Sequence, residues 1–178
     1  QQQSFREGLA FGGAGMGIFK STDGGTTWRP LSEGLPDVIQ ANLALAPGNP
    51  RLLYAMVAGT PKGQESSSTT GVVGFYKSTD AGETWTSMGR VETGRIGTIV
   101  IHPTNPEIVL VCALGRATGP QRERGVYRTE NGGKTWQQVL FVDEHTGCSG
   151  LQMSQQDPNV VLAGTWEIEL LTHVLHSG

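Results

Sequence analysis

The chain has 178 residues, a formal net charge of −3, 16% charged residues and 37% hydrophobic residues. This balance is typical of a globular chain and argues against a nucleic-acid partner or another polyanion. The longest apolar run, residues 108–114, has the length of a strand and cannot cross a bilayer, so no transmembrane segment is predicted. Glycine occurs 26 times, well above the usual proportion of about 7%, which favours an all-β chain with many turns.

Short apolar segments alternate with turn residues along the whole chain, as expected for β-strands joined by tight turns. We label the strands A to D by their place in a four-stranded unit. The predicted strands are B (8–12), C (16–21) and D (27–31); A (41–46), B (52–58), C (72–78) and D (84–89); A (96–101), B (107–113), C (124–129) and D (135–140); and A (149–153) and B (159–165).

Three eight-residue segments, which we call boxes 1, 2 and 3, share the pattern S/T-x-D/N-x-G-x-T-W at 21–28, 78–85 and 129–136. Each box separates two apolar strands and therefore predicts a hairpin turn. The Asp or Asn can accept backbone hydrogen bonds within its own turn, the Gly permits positive φ, and the Trp can bury a large apolar area. We expect structural roles for Ser21, Asp23, Gly25, Trp28, Ser78, Asp80, Gly82, Trp85, Thr129, Asn131, Gly133 and Trp136, with all three tryptophans largely buried in equivalent positions.

A second repeated turn fixes the period of the chain. Its final proline, Pro50, Pro106 or Pro158, follows the preceding box tryptophan by 22, 21 and 22 residues. Each proline precedes an apolar strand, so two turns recur in every unit of four strands. A repeat of this length and composition predicts propeller blades, with the boxes between strands C and D and the proline turns between strands A and B.

The boxes resemble the Asp-box, or BNR repeat, of β-propellers such as sialidases, xyloglucanase-type endoglucanases and sortilin-like receptor ectodomains. Box 3 departs from the pattern at Thr129 and Asn131, which keep the hydrogen-bonding roles. The resemblance implies an all-β fold, a β-propeller fragment of about three four-stranded antiparallel blades, and an extracytoplasmic location. One partial propeller domain is expected over 1–178, with repeat units at roughly 8–31, 41–89, 96–140 and 149–165 and a tail at 166–178.

The partial repeat predicts that the propeller is completed by remaining blades or by another polypeptide, since propellers typically have about four to eight blades. Loops of variable length, expected together on the face opposite the boxes, are where binding is usually found. We therefore favour a non-catalytic binding or scaffold module that contacts a protein or glycan. The candidate binding residues are the loop arginines Arg95, Arg116, Arg122 and Arg124.

An enzyme is the alternative interpretation. A glycoside hydrolase of the xyloglucanase or sialidase type would need two carboxyl groups flanking a sugar, and Asp37 and Asp143 are the candidate pair, with Glu92 in a neighbouring loop. No cofactor is predicted. No metal site is predicted either, because the His173/His176 spacing lacks further ligands.

The chain has two cysteines, Cys112 and Cys148. The favoured interpretation is a pair of small buried residues. Their spacing alone leaves a disulfide between them open.

Overall fold

The computed structural model describes residues 17–31, 33–60, 72–90, 93–116, 119–171 and 174–177, and its regular elements in these ranges are all β-strands. In chain order the strands are β1 (Ile18–Lys20), β2 (Arg29–Leu31), β3 (Asp37–Ala46), β4 (Asn49–Thr60), β5 (Val72–Ser78), β6 (Thr86–Arg90), β7 (Arg95–Ile101), β8 (Val109–Gly115), β9 (Gly125–Thr129), β10 (Gln137–Leu140), β11 (Thr146–Met153), β12 (Val161–Leu171) and β13 (Val174–Ser177).

The strands form four antiparallel sheets, which we call blades 1 to 4. Blade 1 contains β1 and β2, blade 2 has the order β3-β4-β5-β6, blade 3 contains β7 to β10 in the same sequential order, and blade 4 has the order β11-β12-β13. Neighbours in sequence are neighbours in each sheet, so every connection within a blade is a hairpin. The prediction of an all-β chain built from four-stranded antiparallel blades is confirmed.

Consecutive blades pack face to face, and a separate apolar core fills each junction. The core between blades 2 and 3 is the largest, and it includes Tyr54 and Phe75 from blade 2 and Ile101 and Val111 from blade 3. Successive side chains of a strand point to opposite faces, so the first three strands of blade 2 and of blade 3 each contribute to two junctions.

The three boxes have the same internal hydrogen bonds. The hydroxyl of the first residue donates to the side-chain oxygen of the third at 2.7, 2.8 and 2.9 Å in boxes 1, 2 and 3. It also accepts the backbone N–H of the fifth residue at 2.8, 2.8 and 3.0 Å. The third residue accepts the backbone N–H of the seventh at 2.9, 3.0 and 2.9 Å. Each turn is therefore closed by the same three hydrogen bonds among its own residues.

The box tryptophans do not share one environment. Trp85 is 5% exposed and belongs to the core between blades 1 and 2, whereas Trp28 is 62% exposed. Trp136 is half-buried and packs edge-on against Phe75 of the preceding blade, with ring centroids 4.8 Å apart. The expectation of three equally buried tryptophans is therefore wrong for Trp28. A box tryptophan is buried by the blade before its own, and no such blade precedes box 1 among the described residues.

The two cysteines form a disulfide between blades 3 and 4. Cys112 lies in β8 and Cys148 in β11, with Cα atoms 5.0 Å apart, and both residues are fully buried. The favoured interpretation of two separate buried residues is wrong. Because β11 packs against β8, the fold brings together two thiols that are 36 residues apart in sequence.

The C-terminal region also differs from expectation. The predicted tail at 166–178 contains the second half of β12 and the short strand β13, which pair from Ile168↔Ser177 to Leu171↔Val174. The alternation of apolar and acidic residues at 166–171 is a strand pattern that extends β12 beyond the predicted boundary at residue 165. The predicted strand B at 8–12, Glu92, His173 and the His176 side chain lie outside the described residues.

Candidate ligand-binding face

The direction of the strands places several polar residues at one end of the blades, which is the end opposite the boxes. Asp37, at the start of β3, pairs with Thr60 at the end of β4. One blade further on, Arg95 at the start of β7 pairs with Gly115 at the end of β8. The boxes lie at the other end, since Ser78 of box 2 pairs with Leu53 near the start of β4. We call this end, with its longer connections, the loop face.

A shallow cleft opens on the loop face between blades 2 and 3. Its water-accessible volume is about 20 Å³, and its lining includes Gln40, Asn42, Met56, Ala58, Gly94 and Arg95. Asn42 Nδ2 donates to the carbonyl oxygen of Ile96 at 2.7 Å and so ties the two blades together. The volume lies below the roughly 300–1,000 Å³ typical of drug-sized ligand pockets. This is the space of about one water molecule, so the cleft is a shallow depression and not a pocket for a whole small molecule.

Two exposed arginines lie near each other on the loop face. Arg95 lines the cleft directly, and Arg116 follows β8 beside the start of β7. The backbones come so close that a Cβ added to Gly94 would lie 2.7 Å from the Arg116 nitrogen. Neither guanidinium forms an ion pair with another described residue. The pair therefore presents positive charge on the loop face, where Arg95 lines a cleft that also contains amide groups, and such a combination is suited to carboxylate recognition.

The other two predicted binding arginines have structural roles. Arg124 is fully buried, and its guanidinium donates to the carbonyl oxygens of Leu114 and Arg116, each at 2.9 Å. These bonds fix the connection between β8 and β9. Because the Arg124 side chain is fully buried beneath this connection, the expectation that it contacts a ligand is wrong. Arg122 remains exposed but pairs through Nε with Glu144 Oε1 at 3.1 Å. Of the four candidate arginines, Arg95, Arg116 and Arg122 are exposed, and Arg95 and Arg116 are those that form no ion pair with another described residue.

The two candidate carboxylates belong to different parts of the fold. Asp37 is the exposed first residue of β3 in blade 2, and so lies in a strand rather than in the predicted loop. Asp143 precedes blade 4 and accepts the backbone N–H groups of His145 and Thr146 at 2.8 and 2.7 Å. These bonds, the one from His145 first, lower the pKa of Asp143 below its usual value. A carboxylate that caps a turn and stays ionised is poorly suited to act as a general acid.

Sequence reasoning did not select Gln40 or Asn42, which line the cleft. Their only signal is that two amides come at the start of a strand whose later residues are apolar, a pattern shared by many ordinary strands. Among the described residues, no group of three His, Cys, Asp or Glu side chains is placed to hold a metal ion. The described part of the chain also has no helix that is long and apolar enough to span a bilayer.

Solved structures of GH74 enzymes resemble the chain. The crystal structure of an ancestral GH74 enzyme matches with a TM-score of 0.58 and 20% sequence identity, covering 85% of this chain and 20% of that one. The GH74 xyloglucanase from Xanthomonas campestris matches with a TM-score of 0.48 and 18% identity, covering 82% of this chain and 23% of the enzyme. No family model matches the sequence, and no curated protein matches it.

These findings define the fold class. The stacked four-stranded antiparallel blades and the likeness to the ancestral GH74 structure identify the chain as a part of a β-propeller. The chain spans about a fifth of the length of that enzyme. At this level of identity the likeness concerns the architecture, which hosts many unrelated functions.

Proposed function

We propose that the chain is a non-catalytic binding or scaffold module within a larger propeller, and that its loop face contacts a partner carrying carboxylate groups. The observation that carries the proposal is the exposed pair of Arg95, which lines the cleft between blades 2 and 3, and Arg116, whose backbone lies beside Gly94 at the same end of the blades. Arginine guanidinium groups recognise carboxylates through two parallel hydrogen bonds. An acidic glycan or an acidic segment of a protein supplies that chemistry.

The test replaces these arginines and leaves the rest of the face intact. Arg95→Glu and Arg116→Glu, alone and together, should weaken binding to acidic oligosaccharides or acidic peptides by about tenfold each, equivalent to about 1.4 kcal/mol. Arg51→Glu is the matched control, because Arg51 is an exposed arginine at the start of β4, at the opposite end of blade 2. If Arg95→Glu, Arg116→Glu and Arg51→Glu weakened binding equally, the loss of affinity would be a general effect of charge and would count against the site.

Completion of the propeller belongs to the same proposal. Blade 1 has two described strands and blade 4 has three, whereas blades 2 and 3 each have four. Remaining blades of a longer polypeptide, or a second polypeptide, would cover the two end blades. In this assembly the loop face is a rigid surface on which the variable connections are displayed.

We also propose an extracytoplasmic location. The buried disulfide between Cys112 and Cys148 supports it, because disulfides persist in oxidising compartments and are rare in the cytosol. The resemblance of the boxes to those of sialidases and sortilin-like ectodomains points the same way.

A glycoside hydrolase is the second candidate, and it is favoured by the likeness of the fold to GH74 structures. Under this hypothesis Asp37 and Asp143 would act with groups supplied by further blades. Hydrolysis of xyloglucan or another β-glucan by the chain, abolished by Asp37→Asn and by Asp143→Asn, would establish it. No hydrolysis by the native chain or by a longer propeller containing it would favour the binding module.

A further inference from the structure

One asparagine of the chain is followed by a glycine. The residues that follow the five asparagines are Leu43, Pro50, Pro106, Gly132 and Val160. In an Asn-Gly pair the backbone nitrogen of the glycine can reach the side-chain amide carbon, because glycine has no Cβ to hinder the approach. This pair, Asn131–Gly132, forms the third and fourth residues of box 3, where box 1 has Asp23 and box 2 has Asp80 at the third position. The asparagine most prone to deamidation therefore occupies a position at which aspartate already fits.

The folded box holds the side-chain amide of Asn131. Its Oδ1 accepts the hydroxyl of Thr129 and the backbone N–H of Thr135, each at 2.9 Å. Its Nδ2 donates to Thr135 Oγ1 at 2.8 Å. Ring closure through the Gly132 nitrogen breaks these bonds, because it removes Nδ2 and reorients Oδ1. The closed box therefore opposes deamidation.

The attacking nitrogen is held as well. The Gly132 N–H donates to the Glu107 carbonyl oxygen at 2.9 Å, and Gly132 is buried. Two charged groups cover it, since a Cβ added to Gly132 would lie 2.5 Å from Glu107 Oε2 and 2.9 Å from Lys77 Nζ. Lys77 belongs to blade 2 and pairs with Glu107 at 2.7 Å. The nitrogen must lose its proton to a base before it can attack, and burial beneath this ion pair keeps solvent away from it.

Boxes 1 and 2 indicate what an aspartyl product would do. The fourth box residue has nearly the same φ in the three boxes, at 71°, 64° and 67°, so the backbone is the same after Asp or Asn. Asp23 and Asp80 accept the hydroxyls of Thr27 and Thr84 at 2.5 and 2.6 Å. Hydrogen bonds to an ionised carboxylate are stronger than those to a neutral group. An aspartate at position 131 would therefore close box 3 with the Thr135 hydroxyl as donor and would add a negative charge.

An isoaspartyl product would have the opposite effect. Its main chain runs through the former side-chain carbon, which adds one atom between positions 131 and 132. The following Gly133 has no free space toward blade 2, because a Cβ added to it would lie 2.5 Å from the ring of Phe75. Phe75 is fully buried in the core between blades 2 and 3. A longer main chain in box 3 would therefore disturb that core.

We propose that Asn131–Gly132 is a site of spontaneous deamidation, and that the contacts of box 3 with Glu107 and Lys77 suppress the reaction in the folded chain. When the box opens, the Gly132 nitrogen gives its proton to water or hydroxide and bonds to Cγ of Asn131. The Cγ–Nδ2 bond breaks and ammonia leaves. Water then opens the cyclic imide, either at its bond to Cγ, which gives aspartate, or at its bond to the backbone carbonyl carbon, which gives isoaspartate. The net reaction consumes a water, releases an ammonia and does not depend on the ligand of the loop face.

The test incubates the full 178-residue chain at mildly alkaline pH, folded and in denaturing guanidinium chloride. Peptide mapping by mass spectrometry follows the replacement of NH2 by OH at each asparagine, and electron-transfer fragmentation separates aspartate from isoaspartate. Asn131 should react before any other asparagine. Its reaction should be at least about tenfold slower in the folded chain, which corresponds to about 1.4 kcal/mol for opening of the box. Equal rates in the folded and unfolded chains, or earlier reaction of another asparagine, would overturn the proposal.

Matched lysine variants test the cover over Gly132. Lys77→Met removes the ion pair with Glu107 and should speed deamidation of the folded chain about threefold, as expected for a partly exposed pair, without changing the rate in denaturant. Lys20→Met is the control, because Lys20 has the same place before box 1 and pairs with Glu83 of box 2 at 2.7 Å. Asn131→Asp reproduces the aspartyl product and should melt no lower than the native chain at neutral pH. Equal rates in the two lysine variants, or a lower melting temperature of the Asn131→Asp variant, would contradict the proposal.

Discussion

Boxes 1 and 2 are nearly identical turns in different surroundings. Their side chains make the same hydrogen bonds within 0.1 Å, from Ser21 Oγ to Asp23 at 2.7 Å and from Ser78 Oγ to Asp80 at 2.8 Å. Their tryptophans differ in exposure, at 62% for Trp28 and 5% for Trp85. Trp28 Nε1 instead donates to the Gly25 carbonyl of its own turn at 2.9 Å.

The difference separates what eight residues encode from what the neighbouring blade supplies. The turn closes on its own hydroxyl, carboxylate and backbone groups, so it forms in either setting. Burial of the tryptophan requires the preceding blade, which provides Ile18 and Leu31 for Trp85, together with Leu35 from the connection that follows that blade. The box is therefore both a local turn and one half of a contact between blades.

The largest difference in stability is expected between the alanine variants of Trp85 and Trp28. Trp85→Ala should lower the free energy of unfolding by about 3–5 kcal/mol, because it leaves a cavity in the core between blades 1 and 2. Trp28→Ala should change it by about 0.5 kcal/mol, as expected for an exposed site. Urea unfolding followed by circular dichroism measures both. Equal losses would mean that the two boxes have the same environment in solution.

The box glycines give a second matched pair. Gly133 and Gly25 have positive φ values of 96° and 93°. A Cβ at Gly133 would lie 2.5 Å from the Phe75 ring, whereas the nearest atom at Gly25 is 3.6 Å away in Trp28. Gly25→Ala should cost only the backbone strain of about 1–2 kcal/mol, and Gly133→Ala should add about 1–3 kcal/mol of overpacking. Thermal unfolding of the two variants should preserve that order, and a reversed order would contradict the close packing of box 3 on blade 2.

A smaller effect is expected at the fourth box residue. Ala81 is the non-glycine residue with positive φ in the described chain, at 64°, and its counterpart in box 1 is Gly24 at 71°. Ala81→Gly should raise stability by about 0.5–1 kcal/mol by relieving strain, and Gly24→Ala should lower it by a similar amount. Both changes leave the hydrogen bonds of the box in place. Destabilisation by Ala81→Gly would show that its backbone is not strained in this way.

Acid titration should not distinguish box 1 from box 2. The pKa of Asp23 and that of Asp80 are both lowered to about 2, chiefly by the hydroxyl and then the backbone N–H of Thr27 and Thr84. A lowered folded-state pKa gives stabilisation that is fully present above the ordinary value near 3.8 and is lost as pH falls through about 2. Carboxyl-carbon NMR should give both midpoints near 2. Two midpoints near the ordinary value, or a large difference between them, would contradict a locally determined pKa.

Most of the blade architecture could be predicted because the repeat specifies it locally. The proline turns and boxes fix the ends of β3 to β10, and the apolar pattern fixes the faces. The exposure of Trp28 could not be predicted from box 1, because it depends on residues outside the box. The disulfide could not be predicted from the sequence either. The 36-residue separation of Cys112 and Cys148 does not indicate that β11 packs on β8.

The candidate site was less predictable than the fold. Four loop arginines have similar sequence contexts, and only the structure distinguishes exposed Arg95 and Arg116 from buried Arg124. The role of Arg124 arises from the carbonyl groups of the connection around it, whose directions are not encoded by single residues. Gln40 and Asn42 become part of a cleft because two blades meet there.

The most direct test of the account is hydroxyl-radical footprinting of the tryptophan side chains, read by mass spectrometry on the native chain. If each box packs on the preceding blade, oxidation should be fastest at exposed Trp28, slower at half-buried Trp136 and slowest at Trp85. Similar rates at Trp28 and Trp85 would contradict the assignment of burial to the neighbouring blade.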